Sequence, residues 1–442
     1  MLLGAVAAPG KLMQTNYDAI IIGAGASGST AAILLAQAGW SVALIEKQDF
    51  PRRKVCGECI AASNLPLLDV LGIGDAFAAM AGAELRRVAL LCGEQAVSAA
   101  LPCSEDKSHP WGRALGREHL DVLLLQRAQA VKACVLQPCT AISLSGGAGN
   151  FRCSIAFDDR DEAMTLCAPV AIAAYGSWQP LPADRTCRAA ERRASDLLAF
   201  KANFSNVRLD RGLLPVLSFR GGYGGMVVAD HDTATVACCI RRDRLNACRR
   251  AFPGEQAGAV VEAYLRRECV GVQDALSRAT RIGPWLAAGP VRPGVRLRRR
   301  CADAFLIGNA AGEAHPIIGE GISMAIQSAW LLCEELVRSR GVLGRGIDAQ
   351  QCQRQIHQRY AAHWRAHFRP RMRLAALFAQ AAMRPTITSS VLHLLRCAPG
   401  LLTYSARLSG KIQRLSNPAA FALLAPTLVQ PAHRVVKTHL GA

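Results

Sequence analysis

A chain of 442 residues is long enough for about three average domains. Hydrophobic residues account for 51% of it and charged residues for 19%, which excludes a disordered or acidic-tail protein. The formal net charge is +19, but no zinc-finger, RNA-recognition or leucine-zipper pattern accompanies it, so a solvated basic surface, an anionic membrane surface, or acidic substrates and carrier proteins are favoured over nucleic acid.

The first regular pattern predicts a strand, a glycine turn, a helix and a second strand. Its parts are an apolar run over 19–22, glycines Gly23, Gly25 and Gly28, an alanine- and leucine-rich segment over 29–38, and a second apolar run over 41–45. Glu46 stands at the end of the second strand. This order is typical of a dinucleotide-binding unit, although it does not distinguish NAD from FAD.

Each part of this unit has a physical reason. The first glycine allows the tight turn, the second lets the backbone approach a pyrophosphate, and the third lets the helix pack closely on the strand. The amino terminus of the helix offers free N–H groups to the pyrophosphate. A carboxylate at position 46 can accept hydrogen bonds from ribose hydroxyls, so Glu46 is a candidate ribose ligand.

Further elements are predicted in chain order. They are a helix over 117–130, a strand over 131–136, short antiparallel strands near 153–157 and 164–167, a strand over 169–174, strands over 224–228 and 234–240, a strand over 304–307 and a helix over 321–337. After about residue 354 the pattern is helical, with expected interruptions at Pro370, Pro385, Pro399 and Pro418.

This order predicts an α/β protein whose chain leaves the dinucleotide-binding domain and later returns to it. We expect an N-terminal extension over 1–16, the first part of the cofactor domain with small substrate-side insertions over 17–190, a substrate domain over 191–290, a return segment over 291–345 and a C-terminal helical region over 346–442.

Three further motifs follow the opening unit. They are the loop F-P-R-R-K-V-C-G-E over 50–58, the helix start R-E-H-L-D over 117–121, and A-F-L-I-G-N-A-A-G-E-A-H-P-I-I-G-E-G-I-S over 304–323. With the opening unit, they resemble the FAD-dependent aromatic hydroxylase superfamily and its geranylgeranyl reductase-like branch. The resemblance implies a glutathione-reductase-type, Rossmann-like FAD-binding domain interleaved with a β-sheet substrate domain.

The resemblance also implies a set of cofactor-binding residues. They are Gly23, Gly25, Ala26, Ser27, Gly28, Glu46, Lys47, Cys56, Gly57, Arg117, Ala141, Gly308, Asn309, Gly319, Gly321 and Ile322. This sequence departs from the family at two places, because Asn309 stands where an acid usually bonds the ribityl chain and Tyr175 where an aspartate is usual. The second change weakens any inference about nicotinamide binding.

Cys56 and Cys59 allow two interpretations: an incidental pair in a surface turn or a redox disulfide. A zinc site is not expected, since no second pair lies at ligand spacing, and we predict no metal. His315, before Pro316, and Tyr223, in a glycine-rich turn, are candidate substrate-pocket residues because both can share a proton.

We expect an NAD(P)H-dependent monooxygenase that hydroxylates a hydrophobic aromatic or polyketide-like molecule of secondary metabolism, with NADH or NADPH as electron donor. One alternative is an FAD-dependent reductase of carbon–carbon double bonds in an isoprenoid-like lipid, which the C-G-E loop favours. Another is a non-catalytic flavin-binding scaffold. The absence of a W-x-W-x-I-P segment argues against halogenation.

The cysteines and the apolar segments bear on location. Seventeen scattered cysteines, no secretory signal in 1–16 and no apolar run of about 18 residues predict a cytoplasmic protein. The segment over 392–429 is apolar in pieces, so it either packs on its own protein or lies on a membrane as an amphipathic segment. A peripheral contact of the basic surface with a membrane or carrier protein therefore stays open.

Overall fold

The strand, helix and strand at the start of the chain form where the hydrophobic pattern predicts them. The computed structural model describes residues 14–158, 162–177, 192–297, 303–340, 347–413 and 415. In it, buried strand β1 (Ala19–Ile22) leads through the glycine turn into helix α1 (Ala26–Gln37) and strand β2 (Val42–Ile45). Helix α1 begins earlier than expected because the turn continues directly into it.

Strand β1 lies at the centre of a five-stranded parallel sheet. The other strands, numbered in chain order, are β2, β7 (Cys134–Leu136), β11 (Val170–Ala173) and β18 (Phe305–Leu306), and the spatial order is β18-β11-β1-β2-β7. Parallel strands end at one edge, so the glycine turn, Glu46 and Gly308 lie at the same side of the sheet. Strand β18 confirms the predicted return of the chain to the first domain.

Strand β7 is shorter than the predicted strand over 131–136. Lys132 has a φ of 70°, a left-handed backbone conformation that a strand does not accommodate, and pairing with β2 begins only at Cys134.

Three helices bury the apolar faces of this sheet. They are α1, α4 (Arg117–Ala130) and α8 (Gly321–Arg338), and α1 packs against the other two. Between β7 and β11 the chain forms the predicted antiparallel excursion, which consists of β8 (Thr140–Gly147), β9 (Asn150–Ala156) and β10 (Met164–Ala168). The main apolar core lies between the parallel sheet and these helices.

A seven-stranded sheet forms the second half of the molecule. In spatial order its strands are β16 (Thr280–Val291), β12 (Leu197–Ser205), β15 (Ala234–Arg241), β14 (Gly222–Val228), β13 (Leu213–Phe219), β4 (Arg87–Cys92) and β5 (Gln95–Ala100). Most of the sheet comes from the predicted substrate segment over 191–290. Strands β4 and β5 come from much earlier in the chain, and β4 pairs with β13 in parallel.

Shorter elements complete both halves. They are β3 (Cys59–Ile60) paired with β6 (Arg113–Ala114), β17 (Gly294–Val295) paired with β19 (Gly312–Glu313), and helices α2 (Leu65–Leu71), α3 (Gly74–Met80), α5 (Arg242–Ala251), α6 (Ala257–Glu268) and α7 (Val270–Ala275).

The C-terminal region is helical, as predicted, but one expected interruption is wrong. Helix α9 (Ile347–Ala382) continues through Pro370. Proline cannot donate to the carbonyl of Ala366, but both residues are exposed, so water can satisfy that carbonyl. Helix α10 (Pro385–Cys397) starts on a proline, and Pro399 directly precedes α11 (Gly400–Leu408).

Helix α9 is long but carries many arginines, and none of the helices in the described ranges is apolar enough over sufficient length to cross a membrane. Several predictions fall outside those ranges: most of the extension over 1–16, the domain boundaries near 190 and 345, Pro418 and the end of the segment over 392–429. They stay predictions.

Candidate active site

The turn after β1 requires glycine at two of its three glycine positions. Gly23 has a φ of 103°, and a Cβ atom there would lie 2.7 Å from the carbonyl oxygen of Ala174. A Cβ atom at Gly28 would lie 1.8 Å from the carbonyl oxygen of Gly23. At Gly25, by contrast, a Cβ atom would meet only the Arg117 guanidinium, at 3.8 Å. The backbone at Gly25 is therefore open to a ligand.

Glu46 is buried beside this turn. Its Oε2 accepts hydrogen bonds from the Ala24 backbone N–H at 2.9 Å and from Arg52 Nη2 at 3.3 Å, while Oε1 accepts one from the Gln48 N–H at 3.0 Å. Its carboxylate thus ties the end of β2 to the glycine turn. Hydrogen bonding to a ribose stays a prediction.

The C-G-E loop connects the cofactor side with the large sheet through Glu58. This residue is buried with a φ of 60°, and its carboxylate contacts Lys201 Nζ on β12 and Thr235 Oγ1 on β15. The same carboxylate accepts the backbone N–H of Arg117 at 3.1 Å. Burial raises the pKa of the Glu58 carboxyl, and the Lys201 ammonium opposes that shift.

Sequence reasoning missed the roles of Glu58, Lys201 and Thr235. The available signal was Lys201 itself, because a lysine in the centre of the apolar strand L-L-A-F-K-A-N-F-S needs a buried acidic partner.

Arg117 lies at the start of α4, over the glycine turn. Its Nε and Nη2 atoms donate to the two carboxylate oxygens of Asp121, each at 2.8 Å. This spacing of four residues brings both side chains to one helix face. Burial lowers the pKa of Arg117, but the charge and the hydrogen bonds of Asp121 more than compensate, and the net shift is upward.

Lys54 is a further cation that the sequence analysis did not single out. Its side chain lines the same cavity as Arg52 and Arg117. Burial lowers its pKa to about 8, and the nearby guanidinium groups of Arg117 and Arg52 add to that shift. The three side chains surround the mouth of the glycine turn with positive charge.

The return segment supplies the opposite wall. Gly308 has a φ of 58°, and a Cβ atom there would lie 2.5 Å from Ser27 Oγ. The Asn309 side-chain amide donates to Ser177 Oγ at 3.0 Å. Gly319 has a φ of 62°, and Gly321, the first residue of α8, has no atom within 4 Å of a Cβ position. A flat ring can therefore approach this backbone closely.

The C-terminal region reaches back to this wall at Glu320. The carboxylate of Glu320 is buried, with Lys411 Nζ 3.1 Å from its Oε1 and Arg371 Nη1 3.9 Å from its Oε2. Lys411 Nζ also lies 3.4 Å from the carbonyl oxygen of Gly319. These contacts fix the loop before α8 to helix α9, through Arg371, and to the segment after α11, through Lys411.

Tyr223 and His315 meet across the interior of the site. The phenol oxygen of Tyr223 lies 3.1 Å from His315 Nδ1. Burial lowers the pKa of His315 and raises the pKa of Tyr223, so both groups are neutral near pH 7. If Nδ1 accepts from the phenol, the imidazole hydrogen is on Nε2.

One cavity of about 700 Å³ joins these walls. The predicted residues that line it are Gly25, Ala26, Ser27, Cys56, Gly57, Arg117, Tyr223, Asn309, His315, Gly319, Gly321 and Ile322. Gly23, Gly28, Glu46 and Gly308 do not line the cavity but lie next to residues that do, namely Ala174, Arg52 and Ser27. Lys47, which is exposed, and Ala141, on β8, do not line the cavity, and their cofactor contacts stay predictions.

The cysteines in the described ranges form neither a redox pair nor a metal site. Cys56 and Cys59 are free thiols, so the disulfide interpretation is not realised in this structure. Burial raises the pKa of Cys59 to about 12, which makes a reactive thiolate unfavourable. Among the residues that the structure describes, no group of histidine, cysteine and acidic side chains is arranged to hold a metal ion.

The chemistry of the cavity fits FAD. A pyrophosphate carries negative charge, and Arg52, Lys54, Arg117 and the start of α1 offer cations and free N–H groups beside the open backbone at Gly25. At the other end, the start of α8 faces the space next to Gly319 and Gly321. A helix amino terminus at this position would stabilise negative charge on the ring of a bound, reduced flavin.

The interleaved fold and this cavity define an FAD-dependent oxidoreductase. More specifically, the chain belongs to the FAD binding domain family, which matches residues 16–341. Family membership argues against the non-catalytic scaffold considered above.

Comparisons with known proteins agree with this fold. Conditioned medium factor receptor 1 of Dictyostelium discoideum is 22% identical over 382 residues, which cover 80% of this chain and 68% of that protein. The structure of the myxobacterial chondrochloren halogenase is 17% identical, with a TM-score of 0.68 and coverage of 95% of this chain and 99% of that one.

Two further structures represent other chemistries. PqsL of Pseudomonas aeruginosa, solved in complex with 2-aminobenzoylacetate, is 14% identical, with a TM-score of 0.65 and coverage of 86% of this chain and all of that one (100%). A geranylgeranyl bacteriochlorophyll reductase-like protein from Thermoplasma acidophilum is 20% identical, with a TM-score of 0.61 and coverage of 92% and 95%. At these identities the likeness shows the fold alone.

Proposed function

We propose that this protein is an NAD(P)H-dependent monooxygenase that hydroxylates a hydrophobic aromatic or polyketide-like small molecule. The observation that carries the proposal is the continuity of the cavity. It extends from the open backbone at Gly25, past Gly321, to apolar side chains of the large sheet and the C-terminal helices. A cofactor and a hydrophobic substrate can therefore share one continuous cavity.

The apolar part of the cavity supports a hydrophobic substrate. Its walls include Val88, Leu90, Phe200, Leu214, Val216, Met226, Phe378, Leu395 and Leu402. Surfaces of this kind hold a ligand mainly by excluding water, and a few polar groups then fix its orientation.

Tyr223 and His315 supply those polar groups. With Nδ1 accepting from the Tyr223 hydroxyl, His315 has an Nε2–H that can donate to a phenol or carbonyl oxygen of the substrate. The pair can also move a proton, because the phenol holds the imidazole in one tautomer and one orientation. We assign His315 the substrate contact and Tyr223 the positioning of the imidazole.

The remaining chemistry belongs to the cofactor. In such an enzyme, bound FAD in its reduced form supplies the activation of molecular oxygen. This chain's residues position the substrate, and the buried walls keep bulk water away from it. PqsL, described in one of its structures as a probable FAD-dependent monooxygenase, has a similar fold and supports this choice.

A second candidate is the reduction of carbon–carbon double bonds in an isoprenoid-like lipid. It is favoured by the C-G-E loop, whose Cys56 and Gly57 line the cavity, and by the similar fold of the geranylgeranyl reductase-like protein. A long apolar cavity suits a lipid chain as well as an aromatic ring.

Cofactor reduction tests the proposal first. Purified protein reconstituted with FAD should be yellow, and under anaerobic conditions NADH or NADPH should bleach it faster when the proper substrate is present. Readmitted oxygen should then be consumed in step with substrate. Bleaching without substrate-dependent oxygen consumption would favour the reductase, and a failure to bind FAD would contradict both candidates.

A further inference from the structure

Helices α10 and α11 expose large apolar side chains in two regular stripes. On α10, Ile387, Val391 and Leu394 are spaced by four and three residues and are exposed by 38–58%. On α11, Leu401, Tyr404 and Leu408 are spaced by three and four residues and are exposed by 45–59%. This spacing places each set on one helix face. We call the two sets the apolar stripes.

The apolar stripes are distinct from the faces that bind the helices to the protein. Helix α10 buries Thr388, Leu392 and Leu395, which pack toward the large sheet. The side chains of α10 that are exposed and apolar therefore form a second apolar face, which the described residues leave exposed. Contiguous exposed apolar surface of this kind marks an interaction site more often than scattered single residues do.

The charge around the stripes indicates the sign of the charge that a partner carries. Between positions 349 and 413 the chain contains ten arginine or lysine residues and no aspartate or glutamate, and three of the ten, Arg359, Arg371 and Lys411, pair with glutamates of other segments. Arg384, Arg396 and Arg407 are exposed on or directly before the two helices. A second copy of this chain would bring the same basic face and repel it, whereas an anionic partner would be attracted.

The cavity reaches the surface at the same place. Val391, Leu394 and Leu401 line the cavity and are also exposed. A partner that covers the stripes therefore also covers an entrance to the apolar part of the site. An anionic bilayer combines negative headgroups with a hydrocarbon interior, and exposed leucines, a tyrosine and arginines on short helices match that combination.

We propose that the apolar stripes of α10 and α11 bind the surface of an anionic phospholipid bilayer, with both helices lying in the plane of the interface. The cavity entrance between them then opens toward the lipid. If the protein has the proposed function, a hydrophobic substrate then enters the cavity from the bilayer without crossing water. This last step rests on the proposed function, whereas the membrane contact does not.

Vesicle sedimentation of the full-length protein tests the surface contact without any turnover. Vesicles of phosphatidylcholine alone and of phosphatidylcholine with phosphatidylglycerol serve as probes. We expect the protein to sediment with the anionic vesicles and less with the neutral ones, and raised salt should weaken but not abolish the binding. Equal, low sedimentation with both would overturn the proposal.

A triple variant separates the stripes from general positive charge. Ile387→Gln, Tyr404→Gln and Leu408→Gln remove apolar surface without adding charge, and none of the three residues lines the cavity. We expect the triple variant to bind the anionic vesicles at least about tenfold more weakly than the wild type does. The control is Phe252→Gln, which changes an exposed apolar residue directly after α5 and should bind like the wild type.

Three results would overturn the proposal. If the triple variant bound the vesicles as the wild type does, the basic surface alone would account for binding, and an acidic protein would be an equally suitable partner. A wild-type dimer that the triple variant dissociates would make a second copy the occupant. A double variant with Leu423→Gln and Leu424→Gln changes residues outside the described ranges. If it lost vesicle binding while the triple variant kept it, the contact would lie in that segment and not on the apolar stripes. None of these results bears on FAD binding or oxygen consumption, so the proposed function is tested separately.

Discussion

The Glu58 carboxylate pairs with the Lys201 ammonium at a point where neither side chain is exposed to solvent. This ion pair joins the C-G-E loop to strand β12, and Thr235 and the Arg117 N–H complete the hydrogen bonding of the carboxylate. The pair therefore sets the position of the cofactor loop relative to the substrate sheet.

Removal of one member of this pair leaves a buried charge without its nearest partner, although Glu118 Oε2 still lies 3.9 Å from Lys201 Nζ. We expect Glu58→Gln and Lys201→Met each to lower the free energy of unfolding by about 3 to 5 kcal/mol. In the double variant, the free energy of unfolding should fall by much less than the sum of the two single losses, because neither buried charge remains. Urea unfolding of the four proteins measures both quantities.

Arg211→Met is the matched control for this experiment. It breaks an exposed ion pair with Asp232, in which Arg211 Nη2 lies 2.7 Å from Asp232 Oδ2, and it should change the unfolding free energy by less than about 1 kcal/mol. If Lys201→Met were as stable as the wild type, the pair would have no structural role.

Gly25→Ala tests the pyrophosphate site separately from the fold. The added methyl group would meet only Arg117, at 3.8 Å, so the apoprotein should melt at the wild-type temperature. The methyl group would occupy space that a pyrophosphate needs, and we expect the dissociation constant of FAD to rise about tenfold or more. Gly400→Ala, also in open space, should leave FAD affinity unchanged. Wild-type affinity in Gly25→Ala would place the pyrophosphate elsewhere.

Lys54 predicts how FAD binding depends on pH. Its pKa, lowered by burial and by Arg117 and Arg52, is about 8 in the cofactor-free protein. Below pH 8 the Lys54 side chain is mainly an ammonium, which attracts the pyrophosphate. Above pH 8 it is mainly a neutral amine, which must take up a proton before it can attract the pyrophosphate. Fluorescence titrations should therefore show FAD affinity falling between pH 8 and pH 9 by up to about tenfold.

Lys54→Met should bind FAD more weakly at pH 7 and lose this pH dependence. Lys107→Met, at an exposed position, should behave like the wild type. The same decline of affinity in Lys54→Met as in the wild type would assign the titration to another group.

Tyr223→Phe removes the hydroxyl that orients His315. We expect FAD content to stay normal and kcat for product formation to fall about a hundredfold, because the imidazole loses its fixed orientation and tautomer. Tyr264→Phe changes a phenol in the same half of the molecule that hydrogen-bonds Arg244 and does not line the cavity, so it should retain wild-type kcat. A normal kcat in Tyr223→Phe would remove the pair from the reaction.

The local patterns predicted the elements that depend on neighbours in sequence. The helix over 117–130 and the return strand with its following helix form as predicted, because each has an apolar period that suits one buried face. The glycines at 25, 319 and 321 were predicted differently, from the G-x-G-x-x-G spacing and from the resemblance to the hydroxylase superfamily.

Long-range pairing could not be predicted in this way. Strand β4 pairs with β13 across more than one hundred residues, and nothing near Arg87 specifies that partner. The contact of Lys411 with Glu320 and the low pKa of Lys54 likewise depend on segments that meet only after folding. The interruption predicted at Pro370 was wrong because the helix tolerates a proline where the unpaired carbonyl is exposed to water, and exposure cannot be deduced from the local pattern.

Mass analysis of the product formed under ¹⁸O₂ tests the central claim most directly. With FAD-loaded protein, the preferred nicotinamide and a hydrophobic aromatic or polyketide-like substrate, we expect a product that has gained one ¹⁸O atom. A product that has gained two hydrogen atoms and no oxygen would contradict the monooxygenase and identify a reductase.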